Sequence, residues 1–211
     1  MYIPKLFHET NWPAIRQVIE ENSFATIVSC NAGIPTATHA PLRLVEAADG
    51  TAKLQGHVSK ANPHWRLFED DGRSLVIFAG PNSYVSPRWY DHVNVPTWNY
   101  IAIHVYGKPR LVTSSEEMRE LMKGLVDRYE GNAGAGTRYT LEGLPPDFLE
   151  SQMKGIVGFE ILVDEIQASF KLSQNRDQKN YENVIAELHK TDDQNAHRVA
   201  EVMSNRRRSK P

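Results

Sequence analysis

"TWNYIAIHVYGKPRLV", residues 97–112, alternates along most of its length. Trp98, Tyr100, Ala102, His104 and Tyr106 point to one side of an extended chain, and Asn99, Ile101, Ile103 and Val105 to the other. That two-residue period belongs to a strand, not a helix. Just before it, "GPNSYVSPRWYDHVNVPTWNY" (80–100) packs five aromatic side chains and three prolines into a stretch that no helix tolerates.

Outward from that strand the chain stays β-rich. "FATIVSC" (24–30) reads as a strand, "GIP" (33–35) as a turn, and "TATHAPLRLVE" (36–46) as a return strand with Pro41 at an edge or bulge. "AKLQGHVS" (52–59), "SLVIFAG" (74–80) and "GIVGFEILVDEIQASFKLS" (155–173) complete six or so strand regions, the last of them one long strand or a pair. Asn11 and Pro13 open a short N-terminal helix. Ser114 and Glu117 have capping-box spacing ahead of Met118, Leu121, Met122, Leu125, Val126 and Tyr129. Two more helices are predicted over about 178–190 and 194–205. Helices are missing between most strands, so parallel βαβ units are excluded and a small antiparallel β-barrel with helical flanks is expected. Its domain would be residues 1–176, with 177–211 as a C-terminal helical extension ending in a basic tail.

Composition bounds the function. The 211 residues are 40% apolar and 24% charged with a formal net charge of −2, which opposes a nucleic-acid footprint over the whole surface. No run of eighteen apolar residues offers a membrane span, and "MYIPKLFHETNWP" lacks a signal pattern, so a cytoplasmic protein is expected. The single cysteine, Cys30, reads as a buried strand end. "NRRRSKP" (205–211) reads as a solvated, frayed end.

Two stretches hold polar groups suited to a ligand. In "GHVSKANPHW" (56–65), Ser59 and Lys60 would sit at the mouth of a helix starting near Asn62-Pro63, suiting a phosphate, unless Ser59 or Asn62 only caps that helix. "KLSQNR" (171–176) could grip a polar ligand or only close a turn. Histidines are scattered without metal-ligand spacing, so no metal site is expected. The glycine-rich "EGNAGAGT" (130–137) has no phosphate-loop pattern, and Glu69-Asp70-Asp71 looks like a solvated helix end.

Taken in order, "MYIPKLF", "ATHAPL", "GHVSKANPHW", "SYVSPRWY", "VPTWNY", "HVYGKP", "GIVGFEI" and "KLSQNR" resemble the PaiB family of FMN-binding negative transcriptional regulators over nearly the whole chain. That family is similar to the pyridoxamine-phosphate-oxidase-like split barrels. The resemblance implies an antiparallel, Greek-key-like FMN-binding split barrel and a homodimer with FMN in its interface. It makes Ser59 and Lys60 phosphate ligands, with Val58 lending backbone groups and His57 beside them. His39 and Arg43 would face the cofactor from a strand, Tyr84, Ser86 and Trp98 would border its cleft, and Lys171, Gln174, Asn175 and Arg176 would reach the flavin. The oxidases' Arg-Lys pair is here the single Lys60.

Function then divides. A homodimeric FMN-binding regulator is one expectation, with "NRRRSK" as a possible DNA contact, although "KTDDQ" between the last two helices lacks the glycine of a helix-turn-helix turn. The other is a flavin-dependent oxidoreductase on a small substrate, polarised by His57, Tyr84 or Arg176; a haem-binding or haem-degrading protein is a third.

Overall fold

The computed structural model describes residues 1–69, 72–131 and 139–208. Asp70, Asp71, most of the glycine-rich stretch and Lys210 lie outside them. In chain order come α1 (Trp12–Glu21), β1 (Phe24–Asn31), β2 (Ile34–Pro41), β3 (Arg43–Glu46), β4 (Ala52–Ser59), β5 (Ser74–Val85), β6 (Thr97–Leu111), α2 (Ser115–Glu130), α3 (Pro146–Met153), β7 (Ile156–Lys171), α4 (Gln178–Leu188) and α5 (Gln194–Arg208). The strands form one antiparallel sheet in the order β2-β1-β5-β6-β7-β4-β3, with β2 and β3 as its unpaired ends. Among the described residues, no helix is long and apolar enough to cross a membrane.

The alternation of residues 97–112 is realised as β6: Asn99, Ile101, Ile103, Val105, Gly107 and Pro109 are buried, and the residues between them are half-buried or exposed. Other expectations change. "TATHAPLRLVE" is two strands: the β1–β2 register ends at Pro41 opposite Phe24, and the buried Leu42 follows with its N–H on the Ser23 carbonyl at 2.8 Å. β2 stays beside β1 while β3 pairs with β4, in register Arg43↔Gln55. β5 runs past Gly80 to Val85, and β7 is a single strand of 16 residues. The helix expected at Asn62-Pro63 is a six-residue 3-10 turn, Pro63–Phe68. Cys30 is exposed, because Ala25, Ile27 and Ser29 take the inner face of β1 and leave it outside.

Two compact units divide the chain. One is Met1–Val18, Ala79–His104 and Gln167–Pro211; the other is Ile19–Phe78 and Val105–Ile166. The second unit buries Ile27, Leu54, Phe78, Phe159 and Ile161 completely or nearly so, and each large side chain withdrawn from water contributes about 1.5–3 kcal/mol. Phe68 lies 4.9 Å from Phe159, centre to centre. The predicted capping Ser114 accepts from the Glu117 N–H, and Met118, Leu121 and Leu125 pack with Val112 in a core of their own. His64, almost fully buried, joins strands here: its Nδ1 lies 2.8 Å from Thr38 Oγ1 and its Nε2 3.0 Å from Ser29 Oγ, which meets Ser74 Oγ at 2.7 Å. Burial lowers its pKa, so the ring stays neutral.

The first unit buries Ile101, Ile103, Phe170, Leu172, Val184, Leu188, Val199 and Met203. Of the basic stretch expected to fray, Arg206 is held, and residues 209–211 lie outside the described residues. α5 stays helical to Arg208, and Arg206 is paired with the buried Glu9 at 2.5 Å while its guanidinium lies 5.1 Å from the centre of the Phe170 ring. Burial raises the pKa of Glu9, but the Asn11 N–H, Arg206 and the Thr10 N–H outweigh it and hold the carboxylate ionised.

Candidate functional site

Six of the predicted site residues lie in the second unit. His39 is exposed at the sheet edge, where its Nδ1 meets Thr26 Oγ1 at 3.0 Å and its ring stacks 6.0 Å from Phe24. Arg43 lies along α2 at Gly124, where an added Cβ would stand 2.6 Å from the guanidinium carbon. The Val58 side chain belongs to the core. The Lys60 N–H bonds the Gly155 carbonyl at 2.8 Å. Antiparallel alternation therefore also turns the Val58 backbone groups onto β7, its partner there being Val157. The backbone of His57 and Ser59 faces the other way, past Gln55, the last residue that β3 pairs. On this strand the Val58 backbone groups are turned onto β7 and those of His57 and Ser59 away from it.

The helix-mouth reading of Ser59 and Lys60 changes too. Asn62 caps the 3-10 turn by accepting from the His64 N–H at 3.0 Å, and Ser59 Oγ accepts from Ala61 at 3.3 Å. What remains is side-chain chemistry. The Lys60 ammonium is exposed and has no ion-pair partner among the described residues, and the Ser59 hydroxyl beside it can donate. His57 Nδ1 is buried without a hydrogen-bond partner among the described residues, and burial lowers the ring's pKa.

The other seven residues lie in the first unit. Tyr84 and Trp98 are 44% and 53% exposed and meet edge to face at 6.0 Å. Ser86 caps a short turn by accepting from the Arg88 N–H at 3.3 Å. Around "KLSQNR" the turn-closing reading holds for Gln174. Gln174 closes the turn, accepting from the Leu172 N–H at 2.7 Å and donating to the Phe170 carbonyl, and Asn175 is exposed. Lys171 and Arg176 instead grip the loop before β6: Lys171 Nζ lies 2.6 Å from Thr97 Oγ1 and Arg176 Nη2 3.3 Å from Asn94 Oδ1, with the guanidinium over the Tyr90 ring at 4.6 Å.

That loop carries residues the sequence reading did not single out. Asp91 Oδ1 holds His92 Nδ1 at 2.9 Å, and Asp91 also meets Lys179 and Asn180 at 2.9 Å each. These donors, Lys179 first, press its pKa far below the ordinary carboxylate range. Asn94 Oδ1 takes the Val95 N–H and Arg176, which turns its NH2 toward His92 Nε2 at 3.4 Å. Both neighbours favour the tautomer with the proton on Nδ1, leaving Nε2 as the acceptor. The adjacent "DH" was the one available signal for this pair.

A groove of about 660 Å³ in the second unit involves none of the predicted residues; Lys53, Lys108, Arg110 and Glu160 line it. Burial raises the Glu160 pKa, but Lys53 and Gln55 at 2.7 Å and Arg110 at 2.8 Å outweigh that and bring it down to about 2. A carboxylate depressed in the folded state contributes stability that is complete above its unfolded value of 4.5 and is lost as pH falls toward 2. Urea midpoints recorded across that interval should fall more steeply for the wild type than for Glu160→Gln, and parallel curves would remove Glu160 from the acid transition. Among the described residues, no group of three or more His, Cys, Asp or Glu could hold a metal ion.

The family model described as "Putative FMN-binding domain" matches residues 1–165. The chain belongs to this FMN-binding family. The protein is 43% identical over 206 residues, 98% of either chain, to the protease synthase and sporulation protein PAI 2 of Bacillus subtilis, so the PaiB resemblance extends along the whole molecule. Among solved structures, the flavocytochrome Anf3 of Azotobacter vinelandii superposes with a TM-score of 0.63 at 12% identity, covering 86% of this chain and 78% of the other. The FAD- and haem-binding protein of Mycobacterium smegmatis gives 0.61 at 14%, covering 85% and 79%. At such identities the likeness shows the fold alone, and the fold is the split barrel.

FMN is the family's cofactor, and the residues present fit it. An exposed lysine with no acid partner and a serine hydroxyl suit its phosphate, while the partnerless His57 nitrogen suits a polar edge of its ring. The flavin brings its own redox chemistry, and the chain's part is to bind and orient it.

Proposed function

We propose that the protein is a homodimeric FMN-binding regulator of the PaiB type that lowers transcription. Identity of 43% along almost all of both chains with the PAI 2 protein carries this reading. In the second unit the proposed flavin contacts are His57, Val58, Ser59 and Lys60, with His39 and Arg43 nearer the sheet edge; in the first unit they are Tyr84, Ser86, Trp98, Lys171, Gln174, Asn175 and Arg176, each set proposed by itself. The homodimer is supported by the outward face of β6. Tyr100, Ala102, His104 and Tyr106 are only half-buried there and Trp98 is exposed, while His104 Nδ1 has no hydrogen-bond partner. Rings with one polar handle suit a face covered by a second copy.

The tail gives limited support to direct DNA contact, since Arg206 is already committed to Glu9. Regulation through the flavin or a metabolite fits the acidic balance better. A second reading, an oxidoreductase on a small substrate, draws support from the Asp91–His92 pair, whose Nε2 could carry a proton.

Titrating flavin-free protein with FMN, with sedimentation alongside, tests the first reading. The expected result is saturation at about one FMN per subunit of a dimer. Binding to its target promoter should then weaken steeply with salt if the tail is used. A monomer that ignores FMN would overturn the proposal, and turnover of a reduced nicotinamide would favour the oxidoreductase.

A further inference from the structure

Three side chains in the first unit keep hydrogen-bond donors that meet no acceptor among the described residues. Lys171 can donate three hydrogen bonds and Arg176 five, yet each meets one acceptor, Thr97 Oγ1 and Asn94 Oδ1 respectively. Neither has a carboxylate partner among the described residues. The nearby acids are engaged elsewhere: Asp91 holds Lys179, His92 and Asn180, and Asp177 caps α4 through Asn180. The third donor is Tyr90, 8% exposed, whose hydroxyl is buried without a partner and whose ring lies under the Arg176 guanidinium at 4.6 Å.

We infer that Tyr90, Lys171 and Arg176 form a binding site for a phosphate-type oxyanion, with Thr97 and Asn94 as its positioning residues. Two half-buried positive charges, one of them stacked on the ring that carries the buried phenol hydroxyl, suit an anion with several oxygens. The electrostatics agree: burial lowers the Lys171 pKa and the Arg176 charge lowers it further, and the charge of a bound anion opposes that lowering. Lys171 and Arg176 were assigned to the flavin above, so the site rests on that reading for the source of its oxyanion but not for its existence. The phosphate monoester of FMN and free inorganic phosphate share the chemistry.

The test uses the full flavin-free chain and inorganic phosphate, followed by thermal shift and phosphorus NMR. Phosphate should raise the melting temperature and bind saturably. Arg176→Gln should weaken binding about tenfold or more, and Tyr90→Phe about threefold to tenfold. Tyr90→Phe is the decisive variant, because removing a hydroxyl with no partner should leave the melting temperature of the unliganded protein unchanged or higher. If phosphate competes with FMN, and both variants weaken FMN but not riboflavin, the site takes the flavin's own phosphate in place of Ser59 and Lys60. If phosphate binds the FMN-loaded protein equally well, it takes a separate anion; both results support the site. Loss of FMN binding with phosphate binding intact would sink only the cofactor reading. No saturable phosphate binding, affinity unchanged in Tyr90→Phe, or a weakened dimer as the only effect of Arg176→Gln would overturn the inference.

Discussion

Gly107→Ala should lower stability by about 3 kcal/mol or more, at the upper end of the cost of overfilling a packed interior. A Cβ there would press on the Leu162 carbonyl oxygen and stand 2.8 Å from Ile161 Cγ2 and 2.9 Å from the Leu162 carbonyl carbon. Two of these atoms are backbone, in the middle of β7, so no rotamer change relieves the overlap. β6 and β7 would have to separate where Val105, Phe159 and Ile161 have no measurable exposure. For a chain of this length the melting temperature should fall by about 6–12 °C. Gly72→Ala is the control, because its Cβ would meet nothing within 4 Å. Equal melting temperatures for the two variants would mean that the close approach of β6 to β7 does not limit stability.

Asn99→Leu should cost about 3 kcal/mol, although leucine preserves the volume. Asn99 is fully buried; it donates to Ser173 Oγ at 3.0 Å and accepts from it at 3.1 Å. Leucine would strand that hydroxyl in the core. It would also release Ser173 from its left-handed conformation, φ +59°, which a residue with a Cβ adopts only when its surroundings hold it there. The turn so fixed carries Lys171, Gln174 and Arg176, so affinity for FMN should fall at temperatures where the variant is still folded. The pair can be isolated with Asn99→Ala, Ser173→Ala and their double variant. A coupling of about 1 kcal/mol or more is expected, and additivity within about 0.5 kcal/mol would show that the pair is not a unit.

The β-rich order of the sheet was legible because hydrophobic alternation is a local property. Residues 97–112 show it residue by residue, and the capping Ser114 and the two C-terminal helices follow from equally local signals. Where a local signal misled, tertiary structure outweighed it. The apolar run "SLVIFAG" stops at Gly80, yet β5 continues through the buried Pro81 to Val85. "THAPLRLV" looked continuous, but its two halves serve opposite ends of the sheet.

For the site, residue types were legible and partnerships were not. The contacts Lys171–Thr97 and Arg176–Asn94 join positions 74 and 82 residues apart, and no spacing in the sequence encodes them. The same holds for Arg206, whose partner Glu9 lies at the other end of the chain. The burial of the Tyr90 hydroxyl and the exposure of Cys30 depend on which face of a segment turns inward, and that is decided only when the neighbouring strands are in place.

The division of the chain also sets an order for its synthesis. The second unit uses nothing beyond Ile166, whereas the first waits for Gln167 and everything after it, including Arg206 for Glu9 and Met203 for the Tyr181 hydroxyl. A ribosome delivering about 5–20 residues per second therefore releases one unit with all its parts while the other still lacks its closing half. Translational pauses late in the message would prolong the interval in which Trp98, Tyr84 and the loop around His92 are already made but not yet housed. That interval is when the nascent chain most needs a chaperone.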